Sequence, residues 1–317
     1  MTYSFQQHLA EWGPARVGLS AISQKEAEAY CRNLANTHYE NFTVISRLLP
    51  KKHRQDFANV YSYCRWSDDL GDEIGEEAES LRLLAWWREQ LQECYRGKAT
   101  HPVFVALEET IAKCAIPCEP FADLITAFEQ DQRVKEYETY EQLLGYCRNS
   151  ANPVGRLVLY LCGVFNEENS QLSDAVCTGL QLANFWQDVK RDKEIGRIYL
   201  PAEDFRKFGY SKEEFQKGIV TPAFIEMMRF EVDRTRKLLQ SGFPLVENIP
   251  GRLQVEIDLF IRGGLKILEL IEAIGYRVLE RRPRLNKSQY AGLFVGSACR
   301  SLGRWLGFVS AKDQPED

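Results

Sequence analysis

The sequence predicts an all-α protein on three observations. No window shows the sustained alternation of apolar and polar residues typical of a half-buried strand. No Asn-Gly or Asp-Gly pair signals a tight hairpin. Long segments between prolines instead carry apolar residues at helical spacing. No Pro/Gly/Ser-rich linker and no internal repeat divides the 317 residues, so we expect one domain over residues 1–317.

Prolines and capping residues place the helix boundaries. Ser23 followed by Glu26 forms a capping box at the start of the first long helix. Helices should begin or end at Pro50, Pro102, Pro222 and Pro250. Pro153 lies inside a helical pattern and should kink it. The predicted helices cover 24–49, 51–74, 78–96, 102–115, 119–134, 139–164, 168–194, 221–241 and 250–281.

Charge and cysteine content limit the class of protein. The chain has 40 Lys+Arg against 45 Asp+Glu, a net charge of −5, which gives no support to a nucleic-acid partner. Its nine cysteines are odd in number and scattered, which argues against a disulfide framework and favours a reducing, cytoplasmic compartment. The N-terminus lacks the basic start and apolar core of a secretory signal.

Residues 291–310 form the most apolar stretch of the chain. Arg300 and Arg304 lie in its second half, where charges are costly in a bilayer, so we do not expect a transmembrane span. We favour a final helix packed on the core. The alternative is a peripheral membrane contact, a helix at the membrane surface with these side chains toward lipid: Leu302, Trp305, Leu306 and Phe308.

A first carboxylate stripe lies in VYSYCRWSDDLGDE. Tyr61, Arg65, Asp68 and Asp72 are spaced four, three and four residues apart, which places them on one face of a helix. Asp68 and Asp72 are then ~6 Å apart along the helix axis.

A second polar stripe lies in LQLANFWQDVKRD. Its members are Gln181, Asn184, Asp188 and Asp192, spaced three, four and four residues apart. Large apolar residues surround them, so this helix should be buried. A buried row of amides and carboxylates needs partners, because unpaired buried charge is very costly.

Two readings of these stripes compete. Each Asp pair can be a solvated helix face with intrahelical ion pairs. That reading explains the aromatic surroundings of Asp188 poorly. Carboxylate and amide oxygens are ligands that Mg²⁺ prefers, together with water and phosphate oxygens, so a magnesium and phosphate site is the sharper hypothesis. The sequence has no P-loop, no G-x-G-x-x-G, no H-E-x-x-H and no G-x-S-x-G motif.

Five segments together carry a resemblance to a known family. They are CRWSDDLGD, YCRNSANPVGRLVLYL at 146–161, QLANFWQDVKRD, GRIYLP at 196–201 and YRVLERRP at 276–283. In this order they resemble the squalene/phytoene synthase family, from about residue 24 to 290. The resemblance implies a single-domain isoprenoid-synthase helical bundle around a central cavity. It also implies Mg²⁺ clusters that ionise prenyl diphosphates.

Within that family, four segments together resemble the bacterial hydroxysqualene synthases of hopanoid biosynthesis. They are HYENF at 38–42, QDQRVKEYET at 130–139, SANPVG at 150–155 and QLANFWQDV. The resemblance implies a lyase that converts presqualene diphosphate and water to hydroxysqualene and diphosphate. The first alternative is head-to-head condensation of farnesyl diphosphate to presqualene diphosphate, squalene or dehydrosqualene. A second is a catalytically silent assembly subunit, against which the intact Asp pairs argue.

The sequence departs from the family pattern beside the second Asp motif. Gln187 stands where the family commonly has Arg, and Lys190-Arg191 stands where it commonly has Gly-Glu. These changes lie where diphosphate or metal would be held.

Eleven residues form the predicted site. The metal ligands that the resemblance implies are Asp68, Asp72, Asp188 and Asp192. The predicted diphosphate-binding residues are His38, Arg65, Asn184 and Gln187. Tyr146, Asn152 and Tyr276 are the predicted catalytic residues. For Arg65 the alternative is an ion pair with Asp68 or Asp69, and for the tyrosines it is plain core packing.

Two geometric expectations complete the sequence-based hypothesis. Asp68 and Asp72 should face Asp188 and Asp192 across the central cavity. The water that quenches the reaction should lie near the Pro153 kink, where Asn152, Tyr146 and a freed backbone carbonyl offer hydrogen-bond partners.

Overall fold

The computed structural model describes residues 4–16, 21–37, 51–249 and 251–305. In chain order its helices are α1 Phe5–Trp12, α2 Gln24–Thr37, α3 Arg54–Asp72 after a 3₁₀ turn at Lys51–His53, α4 Glu77–Tyr95, α5 Pro102–Cys114, α6 Glu119–Arg133, α7 Tyr140–Ser150, α8 Asn152–Leu161, α9 Glu167–Glu194, α10 Ala202–Phe208, α11 Lys212–Gln216, α12 Pro222–Ser241, α13 Pro244–Asn248, α14 Arg252–Ala273 and α15 Lys287–Trp305. Among these residues the sole β feature is an isolated parallel bridge between Glu136 and Ile198. The prediction of an all-α protein is confirmed.

Contacts within the chain group it into two compact units. Unit 1 comprises residues 1–134 and 153–165, and unit 2 comprises residues 135–152 and 166–317. The single domain predicted over 1–317 and its central cavity stay predictions.

Most predicted boundaries are confirmed to within a few residues. The capping box is present, since the amide of Ser23 donates to Glu26 Oε2 at 3.0 Å. The kink expected at Pro153 appears as a break, with α7 ending at Ser150 and α8 beginning at Asn152. The predicted helix 24–49 is described only as far as Thr37, and the rest of it lies outside the described residues.

The prediction of a helix over 250–281 is wrong at its C-terminal end. Helix α14 stops at Ala273, because Gly275 and Tyr276 adopt φ of 64° and 59°, which ends helical hydrogen bonding. The short helices α1, α10, α11 and α13 were not predicted, since they span eight residues or fewer and show little periodicity.

An aromatic core holds unit 1 together. Trp66 of α3 and Trp87 of α4 stack at 5.2 Å between ring centroids, and both are fully buried. Their polar atoms are satisfied: Trp66 Nε1 donates to the Tyr30 hydroxyl at 3.0 Å and Trp87 Nε1 to Ser67 Oγ at 2.9 Å. This packing fixes the rotation of α3 about its own axis.

Close packing of three helices forms the core of unit 2. Helix α9 contacts both α12 and α14. A Cβ at Gly179 would lie 2.7 Å from Leu239 Cγ, and one at Gly264 would lie 2.9 Å from Leu180 Cδ2, so a larger residue at either position would require these leucines to shift. Trp186 Nε1 donates a hydrogen bond to Thr235 Oγ1 at 2.7 Å, which joins α9 to α12.

Candidate active site

Helix α3 carries the first carboxylate pair at its C-terminal end. Asp68 is partly buried and Asp72 is exposed. The opposite face of the helix is buried through Trp66 and Leu70, which turns the two carboxylates away from the unit 1 core. Gln132 of α6 donates to the Gly71 carbonyl at 2.9 Å and fixes the helix end that bears them.

Arg65 is held by carboxylates of its own helix. Its guanidinium pairs with the fully buried Asp69 and lies 3.4 Å from Asp68 Oδ2. The structure therefore shows the ion-pair alternative for Arg65, while its role in diphosphate binding stays a prediction.

Negative charge is crowded at this end of α3. Burial and the neighbouring Asp72 together raise the pKa of Asp68 to about 6, against the opposing effect of Arg65. Asp131 of α6 adds to the same effect. Asp131 was not singled out in the sequence, although it lies in the QDQRVKEYET segment.

Helix α9 carries the second pair within a mostly buried surface. Phe185, Trp186 and Val189 are buried around Asp188, as expected. Asp188 exposes only 8% of its side chain. Burial raises the pKa of Asp192 to about 7, and the charge of Asp188 contributes to the rise.

The sequence-based interpretation missed Arg282. Its guanidinium binds both carboxylate oxygens of Asp188, with Nη2 donating to Oδ2 at 3.0 Å and Nε donating to Oδ1. Beside it, Gln187 Nε2 donates to the carbonyl of Pro283 at 2.8 Å. The basic run in YRVLERRP was the signal that could have pointed to this residue.

An apolar pocket of about 220 Å³ opens beside this stripe, within unit 2. Its polar lining side chains are Asn184, Gln187 and Tyr290. The remaining lining residues are Leu180, Ala183, Leu259, Phe260, Gly263, Gly264, Ile267, Leu285 and Leu293. The pocket suits a hydrocarbon chain that carries a polar group at one end.

Within the described ranges, no three His, Cys, Asp or Glu side chains converge to hold a metal by themselves. Mg²⁺ usually binds proteins through one or two carboxylates and fills its remaining positions with water and substrate phosphate oxygens. The crowded carboxylates of α3 and α9 fit that kind of site, because each pair holds negative charge that a divalent cation would neutralise.

The predicted catalytic residues have other partners in the structure. Tyr146 is buried in an aromatic cluster with Tyr137 and Tyr199, at 5.8 and 6.2 Å between ring centroids. Tyr199, from the GRIYLP segment, stacks on Phe185 at 3.7 Å. The buried Asn152 accepts a hydrogen bond from Thr178 Oγ1 at 2.8 Å.

Tyr276 and His38 complete the set of predicted site residues. Tyr276 packs against Arg229 of α12, whose Cζ lies 5.4 Å from the ring centroid. His38 lies outside the described residues. The functional roles of all eleven residues, and the facing of the two Asp pairs, stay predictions.

Comparison with solved structures supports this architecture. Squalene synthase HpnC from Alicyclobacillus acidocaldarius superposes with a TM-score of 0.77 at 41% sequence identity, covering 82% of this chain and 98% of that one. A dehydrosqualene synthase superposes with a TM-score of 0.75 over 87% of this chain and 96% of that one. At 23% identity this second likeness speaks for the fold alone.

Curated relatives and a family model agree with the structural comparison. A hydroxysqualene synthase of Rhodopseudomonas palustris is 32% identical over 74% of this chain and 80% of its own length. A phytoene synthase of Arthrospira platensis is 29% identical over 82% of this chain and 88% of its own length. The squalene/phytoene synthase model matches residues 35–289. The chain therefore belongs to the squalene/phytoene synthase family.

Proposed function

We propose that the chain converts presqualene diphosphate and water to hydroxysqualene, with Mg²⁺-dependent release of diphosphate. Similarity to the Rhodopseudomonas palustris hydroxysqualene synthase supports this assignment. The substrate has a charged head and a long hydrocarbon body, and the product is nearly all hydrocarbon.

The observation that carries the proposal is the position of the apolar pocket. Asn184 and Gln187 are among its lining residues, and they lie on α9 close to Asp188. A diphosphate held at Asp188 and Asp192 would leave the attached hydrocarbon in contact with the pocket wall of α14. Removing that apolar surface from water contributes roughly 25 cal/mol per Å² to substrate binding.

The carboxylates supply the metal-binding part of the proposed reaction. Asp68 and Asp72 on α3, and Asp188 and Asp192 on α9, are the proposed ligands, with Asn184 as an auxiliary oxygen. Bound Mg²⁺ would neutralise the charge that develops on the leaving diphosphate. The residues of the chain hold the metal and orient the diphosphate, and the apolar pocket excludes bulk water.

Water must still reach the reacting carbon. The carbon–oxygen bond to diphosphate breaks, the diphosphate leaves with the electron pair, and a water oxygen bonds to carbon and loses a proton. We propose that Asn152, at the break between α7 and α8, holds this water. The Thr178 hydroxyl, which donates to Asn152 Oδ1, fixes the orientation of the amide.

The second candidate is head-to-head condensation of farnesyl diphosphate. Similarity to phytoene synthases at 29% identity favours it. It differs in needing two diphosphates in one site, and squalene formation needs a hydride donor as well.

One product assay separates the two candidates. Purified protein receives presqualene diphosphate or farnesyl diphosphate, each with Mg²⁺ in ¹⁸O-labelled water, with and without reduced nicotinamide. We expect labelled hydroxysqualene from presqualene diphosphate without nicotinamide. An alcohol without label, or squalene formed only with nicotinamide, would overturn the proposal. Turnover of farnesyl diphosphate alone would establish the second candidate.

The apolar C-terminal helix bears on where such a reaction would take place. Within the described residues, no helix combines the length and hydropathy needed to cross a membrane. We propose that α15 makes a peripheral contact with a membrane, because one of its faces is exposed and uncharged. The structure does not describe the side chains of Leu302 and Trp305, and Leu306 and Phe308 lie outside the described residues.

A further inference from the structure

Two side chains of α9 form hydrogen bonds with the segment that follows α14. Gln187 Nε2 donates to the Pro283 carbonyl at 2.8 Å, and Asp188 accepts two hydrogen bonds from Arg282. Both contacts join residues more than ninety positions apart in the chain. The neighbouring Arg284 is exposed.

The backbone brings Arg282 to this place. Gly275 and Tyr276, both at positive φ, turn the chain at the end of α14. Val278 and Leu279 are then buried and anchor the segment in the unit 2 core. The backbone that carries Arg282 is therefore held in place, within reach of Asp188.

The ion pair occupies the oxygens that a metal would need. A guanidinium that binds a carboxylate through two parallel hydrogen bonds is among the stronger charge-assisted contacts in proteins. Asp188 exposes only 8% of its side chain, so little water screens the pair. A divalent cation at Asp188 must compete with Arg282.

The position also explains the departure at residue 187. Members of the family commonly carry arginine there, next to the second Asp motif. In this chain Gln187 carries no charge. Its side chain instead donates a hydrogen bond to the carbonyl of Pro283, the residue that follows Arg282. A positive charge is thus present at the motif, but it comes from a different part of the chain.

We propose that Arg282 couples diphosphate binding to metal binding. Without diphosphate, Arg282 holds Asp188 and weakens metal binding. A diphosphate attracts the guanidinium away from Asp188, so the carboxylate becomes available to the cation. This inference rests on the proposed function, because it takes Asp188 to be a metal ligand and diphosphate to be the leaving group.

The coupling predicts two effects of opposite sign in Arg282→Gln. Titration calorimetry of the full chain with Mn²⁺ alone should show binding at least about tenfold tighter than in the wild type, within the usual range of coupling between sites. Titration with Mn²⁺–pyrophosphate should show binding weaker by a similar factor, because the guanidinium no longer contacts the diphosphate. Structural damage would weaken both.

Two further variants make the test specific. Arg284→Gln removes the same charge from the same segment without touching Asp188, and it should leave both affinities near the wild-type values. Arg282→Lys keeps the charge but cannot hold both oxygens through two parallel bonds, so it should shift both affinities in the same directions by smaller factors. If Arg282→Gln does not fold, Arg282→Lys decides.

The outcomes separate this inference from the proposed function. Equal Mn²⁺ affinity in wild type and Arg282→Gln, or an equal shift in Arg284→Gln, overturns the coupling while leaving the reaction intact. Absence of Mn²⁺–pyrophosphate binding in every variant, wild type included, overturns the metal site of the proposed function itself.

Discussion

Asp72 and Asp188 carry the same predicted role in very different surroundings. Asp72 is exposed at the end of α3, whereas Asp188 is buried and paired with Arg282. Loss of Asp72 therefore removes a carboxylate from an exposed position. Loss of Asp188 also leaves a guanidinium without its partner, which costs stability.

We expect Asp72→Ala to lower the rate of diphosphate release by about 100-fold or more, and to lower the melting temperature less than Asp188→Ala does, because Asp72 is exposed. Asp188→Ala should lose as much activity and also melt at a lower temperature. Steady-state phosphate-coupled assays and thermal melts measure the two effects. Glu77→Gln, at an exposed carboxylate in the first turn of α4, is the control. Wild-type rates with an unchanged Mg²⁺ requirement would remove both residues from the ligand set.

Asn152 offers a test of where the water is held. Asn152→Leu should lower the hydroxylated fraction of product about fivefold, since one hydrogen bond to the water is worth roughly 1 kcal/mol. Thr178→Val keeps the amide but removes the hydroxyl that orients it, so it should lower the hydroxylated fraction by a smaller factor. Product ratios by mass spectrometry report the result, and an unchanged ratio in Asn152→Leu would place the water elsewhere.

Local spacing explains which site residues the sequence could reveal. The stripes on α3 and α9 depend only on helical periodicity, so Asp68, Asp72, Asp188 and Asp192 could be identified directly. The pairing of Arg282 with Asp188 joins residues 94 positions apart. No periodic pattern encodes such a pair, because the turn at Gly275 and Tyr276 decides where Arg282 falls.

At the scale of elements, capping residues and prolines predicted boundaries well. The N-terminal signals worked because a cap or a proline acts within one turn. The end of α14 was missed, because Gly275 is followed by Tyr276 in the left-handed region, where a tyrosine is uncommon.

Helix α15 presents two contrasting faces. Arg300 pairs with Asp258 of α14 at 2.8 Å and Ser297 is fully buried, so the favoured prediction of a helix packed on its neighbours is confirmed for this face. The other face is exposed and uncharged, and it consists of Ser288, Ala291, Gly292, Val295 and Cys299. Such a face suits the boundary of a bilayer.

We expect the protein to sediment with phospholipid vesicles, and Val295→Asp to weaken this binding about tenfold. Val295 is 58% exposed, and a charge there opposes burial in lipid. Ile219→Asp, at an apolar residue 44% exposed elsewhere in unit 2, should bind like the wild type. Equal loss in both variants would mean that the effect is not specific to α15.

For the whole molecule, the sequence predicted the helical class but not the grouping of contacts. Helical periodicity and the absence of strand patterns are properties of short windows, and they gave the class directly. The two units interleave along the chain, with 153–165 returning to unit 1. The composition of the sequence does not change where the chain passes from one unit to the other, so no local sequence pattern could predict these boundaries.

Global stability should depend on one buried carboxyl group of α14. Glu256 is 1% exposed, and its Oε2 has no hydrogen-bond partner among the residues that the structure describes. Burial raises its pKa to about 8. Between its ordinary pKa near 4.5 and pH 8, the folded protein keeps this proton while the unfolded chain releases it. Folding then takes up a proton, so the stability present below pH 4.5 is lost as the pH rises toward 8.

We therefore expect Glu256→Gln to remove part of the pH dependence. The amide keeps the size of the protonated acid and cannot ionise, so the variant should gain stability over the wild type as the pH rises from 5 to 8. The limiting difference is about 1.4 kcal/mol per pH unit, and on the order of a few kcal/mol in total. Melting temperatures across this range measure it, with Glu89→Gln at an exposed carboxylate of α4 as control. If the melting temperatures of Glu256→Gln and the wild type instead differ by a constant amount from pH 5 to 8, Glu256 is ionised in the folded protein over this whole range. A nearby cation would then balance its charge.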